Sequence, residues 1–96
     1  MYLNDLLKSK REEILQIAAK HGARNVRVFG SVARGEADSS SDIDLLVEFK
    51  RGTTLLSHAA LILEVEEFLG VKVDVVSEHG LRERIRERVL REAVAL

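Results

Sequence analysis

Apolar residues follow a helical spacing through Ile14, Leu15, Ile17 and Ala18, then change at Val26-Arg27-Val28-Phe29 to strict alternation. Ser9-Lys10-Arg11-Glu12 has the capping-box pattern and predicts the start of the helix, with Gly22 as its stop. Leu3, Leu6 and Leu7 form either an earlier turn or an extension of it. The alternation predicts a first strand over Val26–Phe29, and a second over Ile43–Phe49 ends at the turn Lys50-Arg51-Gly52. A second helix is expected over Leu55–Leu69, with Leu55, Leu56, Ala59, Ala60 and Leu63 on one face. After Gly70, the β-branched run Val71-Lys72-Val73-Asp74-Val75-Val76 reads as a third strand, and a helix from about Leu81 closes the chain. Helices interleaved with strands predict an α/β (α+β) sheet in two or three layers.

Polar residues interrupt the strands in an ordered way. Side chains on a strand alternate between faces, so Asp42 and Asp44 project together while Ile43, Leu45, Val47 and Phe49 turn to the core. Asp inside an apolar strand is disfavoured, and two carboxylates this close repel unless a cation lies between them. Hard oxygen donors of this kind suit Mg²⁺, which takes one or two carboxylates and completes its shell with water and substrate phosphates. The bland alternative is an Asp-rich turn, since Asp38-Ser39-Ser40-Ser41 reads as a loop. Gly30-Ser31 ends the first strand and leads into Val32-Ala33-Arg34, a candidate helical turn. Glycine there admits phosphate oxygens close to the backbone, and free N–H groups at a helix start favour anions. Arg34, four residues after Gly30, is a candidate phosphate contact or a surface charge.

Asp74 lies in the middle of the third strand, facing away from Val71, Val73 and Val75. It is either a solvent-facing edge residue or, if the second and third strands are neighbours, the carboxylate beside an attacking hydroxyl.

With no extreme of composition, this 96-residue chain reads as one domain that buries a core, 46% apolar and 32% charged. A net charge of −1 gives no polyelectrolyte signature, so direct nucleic-acid binding is not expected. There is no cysteine, hence no disulfide and no thiolate metal site. Without a signal-like apolar stretch or a membrane-length run, a cytoplasmic location is expected.

Together these residues resemble the nucleotidyltransferase superfamily that includes DNA polymerase beta. The stretch Val28-Phe29-Gly30-Ser31-Val32-Ala33-Arg34-Gly35-Glu36, followed by Ser41-Asp42-Ile43-Asp44-Leu45-Leu46-Val47, is similar to its minimal bacterial and archaeal members. The resemblance covers nearly the whole chain, residues 1–96. It implies a mixed sheet flanked by helices with the site at one end, ATP held by Gly30 and Ser31, Mg²⁺ held by Asp42 and Asp44, and a site completed by Asp74. It further implies a HEPN-type ribonuclease toxin as partner in a hetero-oligomer, with AMP transferred to a tyrosine of that toxin. Two other readings remain: an antitoxin that blocks its partner sterically, and a small-molecule transferase of the antibiotic-modifying type.

The last helix sets Arg82, Arg84, Arg86, Arg88 and Arg91 among Glu83, Glu87 and Glu92. It reads as a solvated face with pairs such as Glu87–Arg91, four residues apart, or as a docking surface for an acidic partner. His21, His58 and His79 show no ligand spacing and read as surface or capping residues. Glu36 is a weak candidate for the acidic cluster.

Overall fold

The computed structural model describes residues 2–38 and 40–96. Their elements run α1 (Tyr2–Ser9), α2 (Arg11–Lys20), β1 (Ala23–Phe29), α3 (Gly30–Ala33), β2 (Ile43–Phe49), α4 (Leu55–Leu69), β3 (Val73–Ser77), α5 (Glu83–Glu92) and β4 (Val94–Ala95). A 3₁₀ turn at Glu78–Gly80 joins β3 to α5. The four strands form one mixed sheet in the order β3-β2-β1-β4. β2 is antiparallel to β1 and parallel to β3, and β4 is antiparallel to β1. The parallel pair requires a crossover, which α4 supplies.

One face of the sheet and the helices α1, α2 and α4 enclose the main core. Leu3, Leu7, Ile14 and Ala18 from the first two helices meet Val28, Ile43, Leu45 and Val47 from the sheet and Leu61, Val65 and Leu69 from α4. Leu46 and Val89 are also buried but stand apart from this cluster, because alternation turns Leu46 to the second face, where α5 lies.

Four expectations need correction. Ser9 is not the cap of α2. It is the last residue of α1, where its hydroxyl donates to Leu6 O at 3.0 Å, and Lys10 takes the N-cap position with no side-chain cap. Leu6 O also accepts from Lys10 N, and Lys10 O from Ile14 N, so backbone bonds already bridge the break that a capping box would have served.

The face of α4 marked by Leu55, Leu56, Ala59, Ala60 and Leu63 is not the core face, which consists of Leu61, Val65 and Leu69. Leu55, Leu56 and Leu63 are 86%, 82% and 65% exposed.

The last helix stops at Glu92. Ala93 is extended, and Val94–Ala95 pairs with the open edge of β1, with Leu96 N donating to Val26 O at 3.0 Å. An unpaired strand edge offers backbone partners that a further helical turn would forgo.

β3 begins at Val73 rather than Val71, since Val73 N donates to the Glu66 side chain at 3.0 Å on the chain's way out of α4. In β1 a register shift between Arg24 and Arg27 accommodates Asn25 at φ 51°, a conformation that Asn tolerates better than most residues.

Candidate active site

On the second face, Asp44 is the register partner of Phe29 on β1 and of Asp74 on β3. In a parallel pair such partners share a face, so the two aspartates stand side by side across neighbouring strands. Val73 and Val75 on either side of Asp74 are buried, whereas Asp74 is exposed, as the alternation predicted. Asp42 lies just before β2, also exposed, while Ile43 N is fixed by Lys72 O at 3.0 Å. Burial, first, and then the charges of Asp74 and Asp42 push the Asp44 carboxyl above the ordinary carboxylate range, with Arg34 pulling the other way. Asp44 therefore lies within reach of the charges of both other aspartates.

Gly30 is tied to this group by contact. It begins α3 at φ +76°, and a Cβ on it would fall 2.2 Å from Asp44 Oδ2. A side chain is thus barred twice, by the left-handed backbone and by the carboxylate in its place. Ser31 follows on the first turn of α3, its carbonyl accepting from Glu36 N at 2.9 Å. Among the described residues its hydroxyl has no partner within the chain, nor do the carboxylates of Asp42 and Asp74.

Arg34 is held elsewhere. Its Nε donates to Glu36 at 2.8 Å and its Nη1 to Glu92 Oε1, a contact that ties α3 to α5. Glu36 is thereby a partner of Arg34 rather than a fourth member of the cluster. In the sequence Glu92 reads as part of a solvated helix face or of a docking surface, and its contact with Arg34, far away in the chain, leaves no local signal. Beyond Leu46 on the same face, Arg27 pairs with Glu78 at 2.6 Å, and Glu78 O accepts from Arg86 at 2.8 Å. These pairs anchor α5 over the sheet and leave the aspartates at its rim.

The loop before β2 is organised by Asp38, which accepts from Ser40 N at 2.9 Å and Ser40 Oγ at 2.7 Å, bonds that lower its pKa. Ser39 of that loop lies outside the described residues. Asp38, not Asp42, thus does the turn-forming work. His21 bonds Glu64 at 2.8 Å beside the end of α2, and His58 bonds Val75 O at 2.7 Å and leans on Phe49. Both are structural, His58 more interior than its surface reading allowed.

Among the described residues no three His, Cys, Asp or Glu side chains converge on one point as a ready cation cage. The donor set is a row of hard carboxylates on one sheet face, suited to a cation that brings most of its own shell. A cavity of about 320 Å³ opens on the far side of α3, lined by Val28, Val32 and Leu96 among others, and contains none of the three aspartates.

A small mixed sheet flanked by helices, with a glycine backbone packed against paired carboxylates, defines a class. Residues 8–96 match the nucleotidyltransferase domain, and the chain belongs to that family of enzymes. Over 92 residues it is 37% identical to the protein adenylyltransferase MntA of Thermococcus cleftensis, covering 96% of this chain and 90% of that one. A candidate protein adenylyltransferase of Methanocaldococcus jannaschii is 43% identical over 84 residues, 88% of this chain and 90% of the other. Among solved structures, a candidate minimal nucleotidyltransferase superposes with a TM-score of 0.87 at 60% identity, over 96% of this chain and 94% of that one. A toxin–antitoxin crystallised with AMP-PNP shares the fold at 19% identity, with a TM-score of 0.76 over 88% of this chain and 69% of its own. No helix among the described residues is long and apolar enough to cross a membrane.

Proposed function

We propose that this nucleotidyltransferase is a cytoplasmic antitoxin that moves AMP from ATP to a hydroxyl, a tyrosine of a HEPN-type toxin. The observation that carries the reading is the register pairing of Asp44 with Asp74 beside the Gly30 backbone. The relatives named as protein adenylyltransferases support the acceptor class, and the toxin–antitoxin structures share this fold.

In this reading Gly30 and Ser31 seat the triphosphate, and Arg34 reaches a phosphate by exchanging its carboxylate partners. Asp42 and Asp44, with Asp74 alongside, hold Mg²⁺. The donor chemistry fits, and a cation there would offset the burial and the neighbouring carboxylate charges that together raise the Asp44 carboxyl. Bound Mg²⁺ neutralises charge on the triphosphate and the leaving pyrophosphate. Asp74 orients the acceptor hydroxyl and takes its proton. The hydroxyl oxygen bonds to the α-phosphorus in line as the bond from that phosphorus to the bridging oxygen breaks, and pyrophosphate leaves.

The test uses ATP labelled at the α-phosphate and the chain in complex with its toxin. Asp42→Asn with Asp44→Asn should abolish labelling of the toxin while the complex still forms. If that double variant still protects cells as well as the wild type, neutralisation is steric and the catalytic reading fails.

A further inference from the structure

We infer that the outer face of α4 is the contact surface of a symmetric homodimer, two copies of this chain packed α4 to antiparallel α4. This goes beyond the transferase reading and does not depend on it. The apolar stripe of Leu55, Leu56, Ala59, Ala60 and Leu63 lies on the side of α4 away from Leu61 and Val65, and its leucines are among the most exposed large hydrophobic residues of the chain. A helix apolar on two opposite faces has a second partner to cover, and contiguous exposed apolar surface of this kind marks an association site.

Charge selects the partner. The stripe spans Leu55–Leu63, with an exposed Arg51 in the turn before α4 and an exposed Glu67 one helical turn beyond Leu63. Among the described residues neither makes an ion pair within its own chain. When the same face meets itself antiparallel about a two-fold axis at Ala59/Ala60, Leu56 of each copy lies opposite Leu63 of the other. The same axis brings Arg51 against Glu67 twice, and the two alanines at the crossing let the helices approach closely. Parallel packing would instead set like charges together. The aspartates lie across the sheet from α4, so pairing leaves them open.

A single-helix contact is small for a stable interface, so the dimer should dissociate on dilution. Sedimentation velocity over a concentration series should show a monomer–dimer equilibrium. Leu63→Lys, at an exposed position, should leave the circular dichroism unchanged and give monomer throughout. Arg51→Glu or Glu67→Arg alone should weaken dimerisation roughly three- to tenfold, and the double reversal should restore it. The chain has no cysteine, so Ala59→Cys should form a disulfide-linked dimer on mild oxidation, and Glu87→Cys on α5 should not. Monomer at every concentration, or a dimer indifferent to Leu63→Lys, overturns the proposal and gives the stripe to another protein or the dimer to another face.

Discussion

Asp44 holds its proton more tightly folded than unfolded, because burial and then the neighbouring aspartates disfavour its charge. The folded state then binds more protons than the unfolded one between the ordinary Asp pKa and the raised value, so stability falls as pH rises through that window and stays reduced above it. Asp44→Asn should therefore raise the melting temperature at neutral pH in metal-free buffer and flatten its pH dependence in that window. Adding Mg²⁺ with ATP should stabilise the wild type and not this variant, as thermal scans with and without the ligands would show. Gly30 and Gly70 allow a second comparison, since both adopt left-handed φ but only Gly30 lies against the Asp44 carboxylate. Gly30→Ala and Gly70→Ala should each lose about 1–2 kcal/mol to the backbone in urea unfolding. Only Gly30→Ala, which must displace the Asp44 carboxylate, should also lose transfer.

At the level of elements, α4 is fixed at its start by Thr54, whose Oγ1 accepts from Ser57 N at 3.2 Å. Thr54→Ala should cost about 1 kcal/mol of stability in chemical denaturation, with transfer intact. The same helix shows how far its sequence was readable. Its existence and limits followed from helical spacing and Gly70, but it carries two apolar stripes, and periodicity alone does not say which one meets the sheet. A clue was available: the outer stripe gives way to Glu67, whereas Leu61, Val65 and Leu69 continue to the last residue of the helix. β4 left no such clue. Two small apolar residues pair because the edge of β1 is vacant, a condition set by tertiary structure. The placing of Asp74 beside Asp44 was half legible, since alternation gave the face and only the parallel pairing gave the neighbour.

For the whole molecule, the reading of Asp74 as the group that handles the acceptor separates chemistry from nucleotide binding. Asp74→Asn should lower the rate of AMP transfer by about 10²-fold or more while changing ATP affinity far less. Labelled transfer and equilibrium binding on the one variant check it. A silent substitution would leave Asp74 as an exposed strand residue, its ordinary alternative.

The pairing of β2 with β3 also bears on when activity can appear. Asp44 and Asp74 become neighbours only after the intervening chain has formed α4 and crossed back beside β2, a closure that carries a loop-entropy cost before any strand contact rewards it. Slippage of β3 by a single residue would turn Asp74 into the core and bring a valine to its place. Under the proposed roles of Asp44 and Asp74, turnover becomes a reporter of completed topology: during refolding, helical signal should return early, and catalysis only once that last pair of strands has found its register.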